Sequence, residues 1–310
     1  MTASPPCRLC EAREKNLELS VIIVSYNTAD QIGPCLSALA AAPGGPREII
    51  VVDNASIDGS AAFIGQNFPD VRLLANEKNR GFAAANNQAL PSCRGKYILF
   101  LNPDTVVQGE ALERMRAFME DHPRVGLAGA HIVNDDGSPQ ESVSYRYPGG
   151  KYAREELAGL QGPIACVLGA AMIARRECLE QVGGFDEDFF LYGEDQDLCL
   201  RIRKRGYEIG YIPAAVVAHR GGQSERRTTP AEVWRKKIRA EYLFYRKHYR
   251  PQTIRRITRA YHFKTSWRLA TLRMLLPFAQ DKARAQGKLV KYQVIQQEVK
   301  NFALWKEDPR

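Results

Sequence analysis

The stretch Leu19-Ser-Val-Ile-Ile-Val-Ser25 decides the fold, because it is a continuous run of mostly β-branched apolar residues. A strand buried on both faces has this composition, whereas a strand with one wet face alternates apolar and polar residues. The run Glu48-Ile-Ile-Val-Val-Asp53 repeats the pattern. Two further strands are predicted over residues 71–74 and 97–101. The first third of the chain therefore predicts four strands, of which the first two are buried.

Helical patterns separate these strands. Ile32 and Leu36 recur at helical spacing after Thr28, a candidate N-cap, and further helices are predicted over residues 61–67 and 83–90. Strands that alternate with helices predict an α/β fold with a Rossmann-like, mostly parallel sheet and helices on both faces. The carboxyl ends of parallel strands meet at one edge, and ligands bind outside that edge.

The pattern is less regular beyond residue 105. A helix is predicted over residues 108–121, a short strand over 169–173 and a helix over 198–204. Residues 134–163 are rich in Gly, Pro and polar side chains. Loops of this length usually line a site or form a lid, so we expect this loop to border a functional site.

Charge divides the chain of 310 residues unevenly. The net charge is +9, yet residues 221–310 hold 22 Lys and Arg against 7 Asp and Glu, which leaves residues 1–220 acidic. A basic segment of this size favours a polyanionic partner, either nucleic acid or an anionic membrane surface. We predict a flexible tail over residues 1–17, a catalytic domain over 18–225 and a basic helical C-terminal extension over 226–310.

Cysteine usage and hydropathy bear on the compartment. The seven cysteines lack the dense spacing of a disulfide scaffold, and the pair Cys7 and Cys10 has no further ligands at zinc-site spacing. We read the cysteines as reduced, no signal peptide is recognisable, and no run reaches the ~18 apolar residues of a membrane span. These features predict a cytoplasmic protein, and the basic C-terminal segment favours a peripheral place on the inner face of the cytoplasmic membrane.

The C-terminal extension contains a helical stripe of aromatic and apolar residues, formed by Trp234, Ile238, Tyr242, Tyr245 and Tyr249. Such a stripe either packs on the catalytic domain or anchors the protein to a membrane. In residues 252–291, Arg and Lys lie beside apolar residues such as Trp267, Leu272 and Leu276, a composition typical of an exposed segment. We hypothesise that this segment touches an anionic leaflet.

Polar residues follow two of the predicted strands directly. Asp53 can accept hydrogen bonds from a ribose or a base, or it can cap the next helix. Asn102-Pro-Asp104 can hold a divalent cation against a diphosphate, or it can form a simple turn. Both interpretations of each motif stay open on the residues alone.

An aromatic segment, Phe189-Phe-Leu-Tyr-Gly-Glu-Asp-Gln-Asp197, carries three acids. Aromatic packing limits water and raises the pKa of a nearby carboxyl group toward the range of a general base. Acids at a helix start are also favoured by the helix dipole, but that accounts for one acid better than for three. On a helix, residues 194 and 197 share a face that residue 195 does not. His219, at the end of a short apolar run, is either a further metal ligand or a structural histidine.

Six motifs in this order resemble glycosyltransferase family 2, and most closely its bacterial rhamnosyltransferase-like branch. The resemblance spans roughly residues 18–225. The motifs are Val24-Ser-Tyr-Asn27, Val52-Asp-Asn-Ala-Ser56, Asn79-Arg-Gly-Phe-Ala-Ala-Ala-Asn-Asn87, Leu101-Asn-Pro-Asp104, Gly183-Gly-Phe-Asp186 and Tyr192-Gly-Glu-Asp-Gln-Asp-Leu198.

The resemblance implies a GT-A fold, a Rossmann-like mixed sheet, that takes a nucleotide-diphospho-sugar donor and a glycan or lipid-linked acceptor. The residues that it assigns to the nucleoside are Ser25, Tyr26, Asn27 and Asp53. Those that it assigns to the ribose and diphosphate are Asn79, Gly81, Asn86, Asn102 and Asp104.

The resemblance also implies the chemistry. Asn102 and Asp104 match the metal-binding Asp-x-Asp of the family with Asn in first place, so Asp104 is the retained ligand for Mg²⁺ or Mn²⁺ and His219 completes the site. Glu194 and Asp195 match the catalytic Glu-Asp motif, with Asp195 as the general base of one inverting displacement. Two other readings remain: the same fold with a UDP-hexose donor, and a nucleic-acid-binding protein that uses the basic third. The second lacks any recognisable nucleic-acid-binding motif.

Overall fold

The computed structural model describes residues 17–45, 47–221 and 228–304, without the side chains of 303 and 304. The described residues form two compact units, one of residues 17–146, 160–190 and 194–221, the other of residues 147–159, 191–193 and 228–304. Cys7, Cys10 and the predicted boundary after residue 225 lie outside the described residues. The predicted domain limits stay predictions.

The first unit is built on ten strands. They are β1 (Leu19–Ser25), β2 (Arg47–Asp53), β3 (Arg72–Ala75), β4 (Tyr97–Leu101), β5 (Thr105–Val107), β6 (Val125–Val133), β7 (Val143–Ser144), β8 (Cys166–Val167), β9 (Ala171–Arg175) and β10 (Glu208–His219). Eight of them form one sheet in the order β3-β2-β1-β4-β9-β6-β10-β5, and β7 and β8 pair separately. The four strands predicted in the first third are therefore confirmed.

The sheet is mixed rather than parallel throughout. Strands β1 to β4 run parallel, as do β6 and β10, but β9 lies antiparallel between β4 and β6, and β5 is antiparallel to β10. All residues of β1 and β4 are buried, as their continuous apolar runs require. Because β9 is antiparallel, its first residues reach the edge at which β4 and β6 end.

Six helices belong to the first unit. They are α1 (Ile32–Ala41), α2 (Ser60–Asn67), α3 (Phe82–Ala89), α4 (Ala111–Asp121), α5 (Arg176–Val182) and α6 (Glu194–Lys204). The prediction of Thr28 as an N-cap is wrong, because α1 begins at Ile32 and is preceded by a turn in which the Thr28 carbonyl accepts from Gln31 and Ile32. The hydroxyl of Thr28 bonds instead to Ser25.

The second unit contains three helices, α7 (Pro230–His248), α8 (Pro251–Leu275) and α9 (Lys282–Leu304). Thr229 and Glu232 form a capping box at the start of α7. Ile238, Tyr242 and Tyr245 are buried, so the predicted stripe does face a packed interior. Among the residues that the structure describes, no helix combines the length and apolarity needed to traverse a bilayer.

Candidate active site

The loops that follow β1 and β2 are tied together at the carboxyl edge of the sheet. The backbone N–H of Asn27 donates to Ser56 Oγ over 2.8 Å, and Asn27 Oδ1 accepts from the backbone of Ile57 over 2.9 Å. Asn27 has a left-handed backbone with φ of 54°, which Asn tolerates better than most residues. Ser25 is fully buried beneath this loop, whereas the ring of Tyr26 is half-exposed.

Asp53 ends β2 and is 2% exposed. Its Oδ2 accepts from the backbone of Ser56 over 2.9 Å, a bond within the loop and not a helix cap, because the next helix begins at Ser60 with Gly59 as its N-cap. Its Oδ1 is buried and has no hydrogen-bond partner within the part of the chain that the structure describes. A buried carboxylate oxygen without a partner is costly, so it is suited to a ligand that brings an N–H or O–H group.

Asn54 organises the next loop, a role that the sequence motifs did not reveal. Its Nδ2 donates to Asn79 Oδ1 and to the carbonyl of Gly81, while its Oδ1 accepts from the backbone of Arg80 and from Asn76 Nδ2. This one buried amide thereby fixes the loop that carries Asn79 and Gly81. The clue in the sequence is that Asn54, an amide, comes directly after Asp53 at the end of a predicted strand.

Gly81 makes a close backbone approach to Phe190. Its φ is +83°, and a Cβ at this position would lie 2.7 Å from the Phe190 carbonyl oxygen and 2.8 Å from the Phe190 ring. The next residue, Phe82, donates its N–H to the same carbonyl. Asn86 lies one turn into α3, 1% exposed, with its Nδ2 bonded to the Phe82 carbonyl. Its predicted contact with the donor stays a prediction.

Asp104 and His219 face each other because β5 pairs with the end of β10. Thr105 is opposite His219 in the ladder, and the N–H of Arg220 donates to the Asp104 carbonyl. The side chains meet with Oδ1 of Asp104 3.4 Å from Nε2 of His219, and they are 8% and 11% exposed. The sequence predicted this pairing only through the family resemblance.

Asn102 and Asp195 bond to consecutive residues just before β9. The backbone N–H of Asn102 donates to the Ala170 carbonyl over 2.9 Å, and Gly169 N–H donates to Asp195 Oδ2 over 3.4 Å. Asp195 Oδ1 also accepts from the backbone of Gln196. The antiparallel course of β9 thus joins the Asn-Pro-Asp turn to the Glu-Asp motif at one edge.

Glu194 and Asp195 open α6 as neighbouring carboxyl groups. Burial raises the pKa of Glu194, and the charge of Asp195 raises it further. Burial also raises the pKa of Asp195, against backbone hydrogen bonds that favour its charged form. Oε2 of Glu194 is buried without a partner among the residues described. At neutral pH this arrangement favours a protonated Glu194 beside an ionised Asp195.

Asp197 differs from its two neighbours. It is fully buried and paired with Arg201 at 2.7 Å, and Arg201 in turn donates to the carbonyls of Val182 and Gly184. Asp197 therefore holds α6 against the Gly183-Gly184 turn. The helical spacing groups residue 194 with residue 197, yet the structure sets Glu194 beside Asp195 and gives Asp197 an environment of its own.

Within the described ranges, no group of three or more His, Cys, Asp or Glu side chains is placed to hold a metal ion. The Asp104–His219 pair offers two ligands. Magnesium is usually held by one or two protein carboxylates, together with water and substrate phosphates. A pair at this edge is therefore compatible with a metal that the donor's phosphates also bind.

This sheet, with its GT-A topology and its acids gathered at one edge, defines a glycosyltransferase. The family profile described as "Glycosyl transferase family 2" matches residues 20–183, more than half of the chain. The protein belongs to glycosyl transferase family 2. A second profile, described as "N-terminal domain of galactosyltransferase", matches residues 152–221.

Curated relatives share the region of the motifs. The chain is similar to the N-acetylglucosaminyl-diphospho-decaprenol L-rhamnosyltransferase of Mycobacterium tuberculosis, with 28% identity over 73% of this chain and 83% of that protein. It is also similar to the low-salt glycan biosynthesis hexosyltransferase Agl10 of Haloferax volcanii, with 26% identity over 68% of this chain and 70% of that protein.

Solved structures share the fold. The mannosyltransferase PcManGT of Pyrobaculum calidifontis, in complex with GDP-Man and Mn²⁺, superposes with a TM-score of 0.62 at 19% identity. The match covers 95% of this chain and 89% of that one. The 1–349 fragment of S. aureus TarS in complex with UDP-GlcNAc gives 0.51 at 19% identity, over 94% and 76% of the two chains. The predicted GT-A fold is confirmed.

Proposed function

We propose that this enzyme is an inverting glycosyltransferase that moves a sugar, with rhamnose as the leading candidate, from a nucleoside diphosphate to a lipid-linked saccharide. One observation carries the proposal: a half-buried carboxylate, Asp195, is bonded to the short segment that also binds Asn102, two residues from the Asp104–His219 pair. This arrangement provides a base for the acceptor hydroxyl and two ligands for a metal ion beside the leaving diphosphate.

The donor's nucleoside binds in this proposal between the loops that follow β1 and β2. The unpartnered Oδ1 of Asp53 accepts from the ribose or the base, and the half-exposed ring of Tyr26 lies on the same loop as Asn27. Loop 76–81 supports the diphosphate side, since Asn54 holds Asn79 and Gly81 in place.

Asp195 acts as the general base. A sugar hydroxyl is a weak nucleophile at neutral pH, so its proton must pass to a carboxylate as it attacks the anomeric carbon. The backbone N–H groups of Gly169 and Gln196 orient the Asp195 carboxylate. One in-line displacement inverts the anomeric carbon and needs no second nucleophile.

Asp104 and His219 would hold Mg²⁺ or Mn²⁺ in this scheme. The chemistry that the metal supplies when bound is neutralisation of the charge on the departing nucleoside diphosphate. The two side chains fit that role, because a carboxylate oxygen and an imidazole nitrogen face each other 3.4 Å apart. Asn102 brings a neutral amide where the family has a carboxylate, so the protein contributes one negative charge fewer.

The relatives suggest donor and acceptor classes. A similar protein is named as a rhamnosyltransferase that acts on N-acetylglucosaminyl-diphospho-decaprenol, which favours a deoxyhexose donor and a polyprenyl-linked acceptor. Another is named as a hexosyltransferase, so a UDP-hexose donor is the second candidate.

A donor panel tests the function. The full chain is incubated with dTDP-rhamnose, UDP-hexoses or GDP-mannose and a polyprenyl-diphospho-GlcNAc acceptor, and nucleotide release is measured with and without the acceptor. We expect acceptor-dependent release from dTDP-rhamnose and a product of inverted anomeric configuration by NMR. Release from UDP-hexoses alone would select the second candidate, and a product with retained configuration would contradict the mechanism.

The C-terminal extension, by this proposal, binds an anionic membrane surface through α8. Five large apolar side chains in the second half of this helix and just past it are exposed: Phe263, Trp267, Met274, Leu275 and Phe278. Phe263, Trp267 and Met274 recur at spacings of four and seven residues, so they lie on one side of the helix. The 25 residues of α8 include six Arg and Lys and no acid. Apolar side chains among cations are typical of helices that lie in a lipid interface.

Vesicle co-sedimentation tests the membrane proposal. We expect the full chain to pellet with vesicles that contain phosphatidylglycerol at low ionic strength and to be released by salt, since headgroup attraction is screened. Trp267→Ala with Phe278→Ala should weaken pelleting several-fold. Tyr145→Ala, which removes an equally exposed aromatic ring of the first unit, is the matched control. A wild-type chain that stays in the supernatant contradicts the proposal.

A further inference from the structure

A chain of hydrogen bonds leads from the loop after β6 to the ring of His219. Ser138 Oγ lies 2.5 Å from Asp136 Oδ1, and Asn134 Nδ2 lies 2.8 Å from Ser138 Oγ. Asn134 Oδ1 lies 2.7 Å from Gln140 Nε2, and Gln140 Oε1 lies 3.1 Å from His219 Nδ1. The residues of this relay are Asp136, Ser138, Asn134 and Gln140.

The direction of every bond in the relay follows from its first member. Hydrogen bonds from Ser138 lower the pKa of Asp136, so its carboxylate is ionised at neutral pH and can only accept. The Ser138 hydroxyl must then donate to it and accept from the amide of Asn134. This orients the Asn134 carbonyl toward the Gln140 amide.

Gln140 has no freedom left to flip. Its Nε2 donates both to Asn134 Oδ1 and to the backbone carbonyl of His219, each at 2.7 Å. Its Oε1 must therefore face Nδ1 of His219 as an acceptor. It follows that Nδ1 carries a proton and that, in the neutral ring, the lone pair of Nε2 points at Asp104.

Two acceptors then face each other across 3.4 Å. Oδ1 of Asp104 and the Nε2 lone pair of His219 repel unless a proton or a cation lies between them. A divalent cation uses both as ligands, and an imidazole that ligates through one nitrogen normally donates its other N–H to an acceptor. Gln140 Oε1 is that acceptor here.

We propose that Gln140 is a positioning residue that orients His219 so that Nε2, and not Nδ1, is its metal-binding nitrogen. The proposal rests on the metal role of Asp104 and His219 proposed above. The backbone of His219 is set independently by the β5–β10 ladder, so Gln140 acts on the orientation and proton position of the ring. The relay explains why a loop without catalytic groups borders the site.

A purely structural role is the competing explanation. The backbone of Gln140 also closes the loop, because its N–H donates to the Ile132 carbonyl, and Pro139 bridges to Val133. Substitution of the side chain leaves these backbone bonds intact. The test must therefore separate stability from the behaviour of the His219 ring.

The experiment follows the His219 ring by NMR in the full, metal-free chain, with its signal assigned by loss in His219→Asn. In wild type, the neutral ring should carry its proton on Nδ1, and added Mn²⁺ should broaden its Cε1–H signal before those of the other four histidines. Gln140→Met removes the acceptor, so we expect the ring to lose its Nδ1–H preference and to need ~10 to 100 times more Mn²⁺ for the same broadening.

Two further variants make the outcome decisive. Gln140→Glu loses both donations from Nε2 but keeps an acceptor for Nδ1–H, so it should lower Tm as Gln140→Met does and yet retain Mn²⁺ broadening near the wild-type level. Gln181→Met removes a glutamine bonded to Tyr207 and should behave as wild type. Equal losses in Gln140→Met and Gln140→Glu, or wild-type broadening in Gln140→Met, overturn the proposal. Absence of broadening in wild type instead contradicts the metal site itself.

Discussion

The backbone N–H of Gly169 donates to Oδ2 of Asp195 across 3.4 Å, so the proposed base is bonded to the residues that lead into β9. The bond is long and leaves the carboxylate able to accept a proton. Gly169 packs directly beside Asp195, since a Cβ at residue 169 would be in van der Waals contact with the Asp195 Cβ, 3.7 Å away. The base is thus oriented by backbone N–H groups.

Asp195→Asn should abolish turnover and keep donor binding. The amide has nearly the shape of the carboxylate but cannot take a proton, and general bases contribute ~10²- to 10⁴-fold to rate. Nucleotide release measures turnover, and calorimetry with the nucleotide measures binding. Asp197→Asn is the contrast: it breaks the buried pair with Arg201 and should lower Tm while Asp195 stays in place. Unchanged turnover in Asp195→Asn would remove this residue from the base role.

The acid limb of the pH profile should lie above the ordinary aspartate range. Burial raises the pKa of Asp195 from its usual value of 3.8, and the reaction needs the ionised form. The value of kcat/KM therefore falls as pH drops through the raised pKa of Asp195. This fall occurs at a higher pH than for a solvent-exposed aspartate. A profile that stays flat down to pH values near 3.8 would contradict a buried base.

Glu194→Gln should change how stability depends on pH. Burial raises the pKa of Glu194 from its usual value of 4.5, so the folded state keeps a proton that the unfolded state loses. The free energy of unfolding of wild type falls as pH rises from about 4.5 to the raised value, by a few kcal/mol at most. The variant lacks this loss. Urea titrations should show the difference growing with pH, and a constant difference would contradict a protonated Glu194.

Removal of divalent metal should abolish turnover, and Asp104→Ala should do the same. Both changes remove the positive charge that we propose opposite the leaving diphosphate. Activity with EDTA and with restored Mg²⁺ or Mn²⁺ checks the first, and circular dichroism confirms that the variant is folded. Turnover that survives EDTA would mean that Asn102 marks an enzyme independent of metal.

Gly81→Ala should destabilise the fold by about 1 to 3 kcal/mol. A Cβ at residue 81 would collide with the backbone and ring of Phe190, and the positive φ adds strain. Gly59→Ala is the matched control, because its φ is +88° but nothing lies within 4 Å of the added Cβ. It should cost only the backbone strain of ~1 kcal/mol. If urea titrations show equal losses of unfolding free energy in the two variants, the close approach to Phe190 does not contribute to the loss.

The first half of the fold could be predicted because β1, β2 and β4 are recognisable in the sequence as apolar runs between helical patterns. The antiparallel course of β9 could not, since a strand buried on both faces has the same composition in either direction. Strand β5 has three residues after a turn motif, too short for any periodicity, yet it brings Asp104 beside His219.

Among the site residues, strand ends indicated Asp53 and Asp104, an aromatic segment indicated Asp195, and the family motifs assigned their roles. Asn54 and Gln140 were missed as site residues because amides act through partners distant in sequence. Asn54 is bonded to residues more than 20 positions away, and Gln140 lies 79 positions from His219. Periodicity reports only local spacing, so contacts of this kind emerge only from the folded chain.

Because β9 lies beside β4 in the sheet but far behind it in the chain, β4 is synthesised well before one of its two neighbours. Strand β4 pairs with β1 on one side and with β9 on the other, and β6 has no bond to β4. About 70 residues separate β4 from β9, so at ~5 to 20 residues per second the open side of β4 stays without its neighbour for about 4 to 14 seconds after it emerges from the ribosome. Lys96 and Pro103 flank this fully apolar strand, and charge and proline are what keep such a nascent edge from joining another chain.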